Sequence, residues 1–298
     1  MGAAAYWWAF TLAASLAQTL RNAMQRELIG ALGAVGAAQV RFLFGAPFAL
    51  LFVALVALVS GEALPTLNAP ALGWTVLGAL TQIVATALML AAMRTRSFVV
   101  VVAATKTEAA QVALFALVFL GERPTPMLLA AIALATFGVW LMSGLRRNVG
   151  GFGPLALGLV SASFFAVAAI AYRAAVLSVD GGSFVMRASF ILVLGLALQT
   201  ALVFIYLGLF DRKTIAAILR VWRPSLFAGF MGAFASQLWF IALALTDASR
   251  VRTLALVEVL FAQMVSARMF KEKPSAPELI GIALIVIAAA LLVSGATG

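Results

Sequence analysis

The chain has 298 residues, 65% of them hydrophobic and 10% charged, with a mean hydropathy of +1.13. A soluble domain is nearer roughly 45–50% apolar and about 25% charged, so this is the composition of an integral membrane protein. Cysteine and histidine are absent, which excludes disulfides, thiol nucleophiles, histidine acid–base chemistry and zinc sites with the usual ligands, and the net charge of +10 lies in short loops, which fits cytoplasmic retention better than nucleic-acid binding.

Ten apolar spans are predicted, near residues 5–26, 36–60, 70–92, 98–119, 126–145, 152–176, 184–208, 223–245, 251–270 and 276–295. A helix needs about 20 apolar residues to cross a bilayer. Between the spans stand loop signals such as Gly30/Gly33/Gly36, SGEALPTLNAP, GERPTP, VDGG and KEKPSAP. The first span carries Ser15, Gln18, Thr19, Arg21 and Asn22, with Tyr6, Trp7 and Trp8 ahead of them as an expected interfacial anchor. No basic start of a cleavable signal peptide precedes it. The second span carries Arg41, and the third carries Thr81, Gln82 and Thr86.

The fourth span, FVVVVAATKTEAAQVALFALVF from Phe98, holds Lys106 and Glu108 near its middle. A charge at the bilayer centre costs roughly 2.5–3.5 kcal/mol on insertion scales, so such residues face protein or water. As one continuous helix the span would put Thr105, Glu108 and Gln111 on one face and Lys106 about 200° round from Glu108. The sixth span carries Ser161, Ser163, Phe164, Phe165 and Tyr172, the seventh Arg187, the eighth Ser236, Gln237 and Trp239, and the ninth Glu258. Single Ser and Thr residues are read as interhelical hydrogen bonders, the glutamines as candidates for a cavity.

The chain repeats itself. An offset of 150 residues relates Glu108 to Glu258, Glu122 to Glu272 and Pro124 to Pro274. The second spans also agree, VRFLFGAPFALL with MRASFILVLGLA, which pairs Arg41 with Arg187. Five spans per half force opposite orientations. The predicted fold is therefore all-α and polytopic: ten transmembrane helices as two inverted five-helix repeats, residues 1–148 and 149–298, forming one transport domain. Lys and Arg gather in the loops after the odd-numbered spans, as in Arg146/Arg147, Arg212/Lys213 and Lys271/Lys273. Those loops are expected in the cytoplasm and both termini outside.

Two roles stand open for the charges within the spans. Arg41 with Glu108 and Arg187 with Glu258 would make equivalent charge pairs bracing the repeats. Alternatively, Glu108 and Glu258 would couple transport to protons, and Lys106, whose repeat position holds Leu256, would meet a substrate carboxylate. No Walker motif is present, so transport would be passive or gradient-driven, and no cofactor or metal is expected. An intramembrane enzyme would need a nucleophile with its base, paired carboxylates or a metal site, and the lack of His and Cys and the placing of Glu108 and Glu258 on separate repeats speak against it.

Five spans per half, the early arginine of the second span (Arg41, Arg187), and the motifs Gly121-Glu122-Arg123-Pro124 and Lys271-Glu272-Lys273-Pro274 resemble the EamA-type members of the drug/metabolite transporter superfamily. The run Thr105-Lys106-Thr107-Glu108 is similar to the aromatic amino-acid exporters of the YddG type. The resemblance implies a bacterial inner-membrane exporter of amino acids or other metabolites with a central cavity between the halves. Within it, the expected substrate-binding residues are Lys106, Gln18, Asn22, Gln82, Glu108, Phe164, Gln237 and Trp239, with aromatic or large neutral amino acids favoured. The alternative is an exchanger of phosphate esters or nucleotide sugars that would draw on Arg21, Lys106 and Arg187. The partners expected are a small molecule and the lipid bilayer; the oligomeric state is left open and a monomer is compatible with the sequence.

Overall fold

In a bilayer the backbone must satisfy its own hydrogen bonds, which leaves helices or a closed barrel. The computed structural model describes residues 6–95, 98–120, 123–142, 153–270 and 276–294, and these are almost wholly helical. The helices are α1 (Trp7–Ser60), α2 (Ala69–Met93), α3 (Phe98–Thr105), α4 (Glu108–Phe115), α5 (Pro126–Met142), α6 (Gly153–Ser178), α7 (Phe184–Phe210), α8 (Arg212–Arg220), α9 (Trp222–Leu245), α10 (Ala248–Leu254), α11 (Glu258–Phe270) and α12 (Ala276–Ser294). Among them α1, α2, α6, α7 and α9 are long and apolar enough to cross a membrane. The protein is a multi-pass membrane protein. The motif residues Glu122 and Glu272 lie outside the described residues.

At about 1.5 Å per residue, the 54 residues of α1 would run about 80 Å if straight, far beyond a hydrocarbon core of about 30 Å. The helix is split at Gly33, whose φ of 67° and ψ of 176° suit only glycine. The predicted break between the first two spans therefore holds, as a single sharp joint rather than a loop.

Four sequence expectations are corrected. The fourth span is not one helix: α3 stops at Thr105, α4 starts at Glu108, and a π-helical turn over Ala116–Leu120 follows. The ninth begins three residues earlier than predicted, with α10, and passes through a 3₁₀ turn at Ala255–Val257 into α11. The basic stretch after the seventh span forms the amphipathic α8, capped by the Asp211 carboxylate, which accepts from Thr214 N at 3.3 Å. Trp7 is buried in the core, so of the proposed anchor only Tyr6 is fully at the surface.

Close packing rests on small residues. A methyl group at Gly229 of α9 would sit 2.4 Å from Phe44 Cβ of α1, and one at Gly138 of α5 would sit 2.7 Å from the Gly281 carbonyl oxygen of α12. Large apolar side chains such as Leu55, Ile205, Phe210 and Ile287 stay exposed, as a lipid-facing surface requires. Most hydroxyls bond within their own helix instead of across helices: Thr11 to Trp7 O, Ser15 to Thr11 O and Thr19 to Ser15 O. Ser161 of α6, donating to Ala85 O of α2 at 2.7 Å, is the interhelical kind that the sequence reading expected of them.

Candidate functional site

Two broken helices face each other at the centre of the molecule. In the first, the chain between α3 and α4 tightens. Thr107 N donates to Ala104 O and Ala109 N to Lys106 O, which are three-residue rather than four-residue steps. Two hydroxyls take up the carbonyls at the end of α3, Thr105 to Val102 O at 2.7 Å and Thr107 to Ala104 O at 2.9 Å. The break re-aims the side chains on either side. Lys106 and Glu108 both line one cavity and both are buried, although a continuous helix would have set them on opposite faces.

The second break lies at the corresponding place. Glu258 opens α11 as Glu108 opens α4, 150 positions later (258 − 108). Lys106 Nζ stands 2.5 Å from Glu258 Oε2, and Arg252 Nε stands 3.0 Å from Glu108 Oε1. The pairing is crossed: each carboxylate takes a cation from the other broken helix. The expected pairs Arg41–Glu108 and Arg187–Glu258 are thus corrected. Arg41 instead donates to Thr86 Oγ1 at 3.4 Å and Ser236 Oγ at 3.2 Å, and Arg187 Nε is buried without a hydrogen-bond partner among the described residues.

Around Glu258 the first arm of α1 supplies donors. Gln18 Nε2 reaches Oε2 at 2.8 Å and Asn22 Nδ2 reaches Oε1 at 3.1 Å. Asn22 Oδ1 in turn accepts from Arg21 Nε and Nη2 at 3.2 and 2.6 Å. Trp239 Nε1 donates to Gln18 Oε1 at 3.0 Å, and the Arg252 guanidinium lies 4.6 Å from the centre of the Trp239 ring, in cation–π range. Gln82 accepts from Gln199 at 2.7 Å. Phe165, Phe240 and Met89 complete the walls.

The structure therefore brings Gln18, Asn22, Gln82, Lys106, Glu108, Trp239 and Glu258 to one cavity. Phe164 and Gln237 are not on its wall: α6 presents Phe165 there, and Gln237 donates to Ser189 at 2.8 Å. Sequence reasoning does not single out Arg252, which is the second residue of the predicted ninth span and so falls at a helix end. The 150-residue offset carries a signal for it, since α3 starts at Phe98 and α10 at Ala248. In this state the cavity is nearly filled. About 20 Å³ remains, room for about one water.

Residues 153–294 match the model of the EamA-like transporter family. That half of the chain is an EamA-like transporter domain. The family is one of transporters, not enzymes, and the EamA-like half supplies Phe165, Trp239, Phe240, Arg252 and Glu258 to the cavity. No curated protein matches the chain, whereas 28 chains of solved structures do. One of them, the crystal structure of a protein, superposes with a TM-score of 0.68 over 95% of each chain at 18% identity, a likeness of fold.

Proposed function

We propose that the chain is a secondary exporter of amino acids, aromatic and large neutral ones favoured, working by alternating access across a bacterial inner membrane with both termini on the outer side. The observation that carries this reading is the crossed pair Lys106–Glu258 beside Arg252–Glu108, walled by Trp239, Phe165 and Phe240. The cavity wall holds cations and anions side by side, which is the pattern a zwitterion presents. An amino acid entering it exchanges partners with the protein. Its ammonium takes Glu258, its carboxylate takes the cationic side that includes Lys106, and its side chain lies against the aromatic wall.

The reading includes ten spans in two inverted repeats, residues 1–148 and 149–298. Packing supports it, because exchanging the halves carries contacts onto contacts. The first arm of α1 corresponds to α6, and α2 to α9, and α1 packs on α9 as α6 does on α2. The pieces α3 and α11 pack together, as do α10 and α4, and α5 meets its counterpart α12. Discontinuous helices at matching places of two repeats are where secondary transporters bind substrate.

Counterflow into proteoliposomes loaded with mixed amino acids tests the reading, with labelled phenylalanine, threonine and lysine outside. Phenylalanine uptake above protein-free liposomes, competed by large neutral amino acids, is expected. Absence of uptake of all three by folded protein would turn attention to phosphate esters and nucleotide sugars, which the excess of buried arginine favours as the second reading.

A further inference from the structure

Each carboxylate of the cavity is matched by one cation, Glu258 by Lys106 and Glu108 by Arg252. Arg21 is left over. It lies on the cavity wall, 1% exposed, with no carboxylate in ion-pair range among the described residues. Two of its nitrogens share one neutral acceptor, Asn22 Oδ1, and its Nη1 has no hydrogen-bond partner among the described residues. Arg41 is 2% exposed; among the described residues it donates to the hydroxyls of Thr86 and Ser236 and stands 5.5 Å from the centre of the Phe42 ring, and its Nε has no hydrogen-bond partner. The two arginines come from the two arms of α1 and meet over Gly232 of α9. A methyl group at Gly232 would stand 3.0 Å from Arg41 Cγ and 3.2 Å from Arg21 Cδ.

Buried charge is ordinarily paired, because desolvation without a counter-ion is expensive. Amides and hydroxyls accept hydrogen bonds here but bring no opposite charge. The geometry points to an anion subsite, built by Arg21 and Arg41 beside Gly232 on the cationic side that includes Lys106, for the acid group of the transported molecule. A guanidinium is planar and offers paired N–H groups that match a carboxylate or a phosphate in two-point contact. Ser236 Oγ, on the cavity wall, holds an Arg41 nitrogen at 3.2 Å, and that bond is given up when the anion arrives. The inference rests on the transport reading above and sharpens it. The carboxylate goes to the arginines, so Glu258 is the partner left for the ammonium.

The test is thermal unfolding of the purified full-length chain in detergent with three probes. These are 3-phenylpropionate (an acid without an amine), phenethylamine (an amine without an acid) and inorganic phosphate. The variants are Arg21→Gln, Arg41→Gln, Gly232→Ala and Lys106→Gln. We expect 3-phenylpropionate to bind Arg21→Gln and Arg41→Gln at least about tenfold more weakly than wild type, the loss typical of one charge-assisted hydrogen bond, and Lys106→Gln tells this site from an acid site at Lys106 alone. Gly232→Ala keeps both charges and crowds their stems, so it reads the same site if an arginine variant does not fold. Undiminished acid binding to Arg21→Gln, Arg41→Gln and Gly232→Ala overturns the subsite, as does a loss confined to Lys106→Gln. In either case phenylalanine counterflow would still stand. Phosphate binding with the same arginine dependence, without 3-phenylpropionate binding, keeps the subsite and replaces amino acids by phosphate esters. Wild type that exchanges phenylalanine yet binds no anion overturns the subsite alone.

Discussion

Glu108 and Glu258 hold the same position in two different helices: each is the first residue after a break, and each is paired with the cation of the other's helix. The crossed pairing ties the two broken helices together, so a motion that separates them must part both pairs. Removing one member of a buried pair strands a charge, at a typical cost of about 3–5 kcal/mol, whereas replacing both by apolar residues is often neutral or stabilising. Lys106→Met alone should therefore lower the unfolding temperature, and Lys106→Met with Glu258→Leu should restore it while abolishing counterflow. A double variant no more stable than the single one would mean that Gln18 and Asn22, which also donate to Glu258, depend on the carboxylate as much as Lys106 does.

Trp239 makes two separable contacts, its ring face with Arg252 and its Nε1 with Gln18. Trp239→Phe keeps a ring under the guanidinium and deletes the donor. Its effect on phenylalanine affinity in counterflow should be modest, about three- to tenfold for one neutral hydrogen bond. Trp239→Ala also removes the ring that Arg252 rests on and the wall of the cavity, and should cost at least a further tenfold. Equal losses in the two variants would place the whole effect on the indole N–H.

Close approach makes some glycines replaceable and others not. Gly229→Ala would push a methyl group into Phe44, at 2.4 Å from its Cβ and 2.5 Å from its backbone carbon, and α1 and α9 would have to move apart. A loss of about 1–3 kcal/mol is expected, as for overpacked cores. At Gly73 an added methyl meets nothing within 4 Å, and Gly73→Ala should be neutral or slightly stabilising in the same thermal unfolding series. Gly33→Ala is a third case. It has open space around it but a φ of +67°, so its cost of about 1–3 kcal/mol would come from backbone strain and would fall on the joint between the arms of α1.

Much of this architecture was legible in the sequence, for physical reasons. A bilayer imposes length and apolarity on every helix that crosses it, and charges inside such stretches stand out, so the long apolar helices α1, α2, α6, α7 and α9 and the burial of Lys106, Glu108 and Glu258 could be read directly. The partners of those charges could not. An unbroken helix would point Lys106 and Glu108 apart. The break at 106–107 leaves no mark of glycine or proline: Lys106 and Thr107 are ordinary helix residues by composition. Its stabilisation comes from Thr105 and Thr107 hydroxyls and from the opposite helix, and neither is visible in local sequence. Phe164 and Phe165 show the same limit, since adjacent positions on a helix differ by about 100° and apolar patterning in a membrane does not say which one faces inward.

Arg173 of α6 pins the short turn that joins α9 to α10. Its Nη1 donates to the carbonyls of Leu243 and Thr246, and its Nη2 meets Asp247 Oδ1 at 3.0 Å. Two of the three acceptors are backbone, so the turn is held by geometry and not by charge alone. Loosening it should expose the segment leading to Arg252 and Glu258. The chain has no cysteine, so Ser249→Cys, at a position only 6% exposed, gives a clean reporter. Its labelling by a membrane-impermeant maleimide should rise several-fold when Arg173→Gln is added. Asp247→Asn should raise it less, because both carbonyl contacts survive. Labelling that responds to Asp247→Asn as strongly as to Arg173→Gln would show that the ion pair, and not the carbonyl grip, keeps this turn closed.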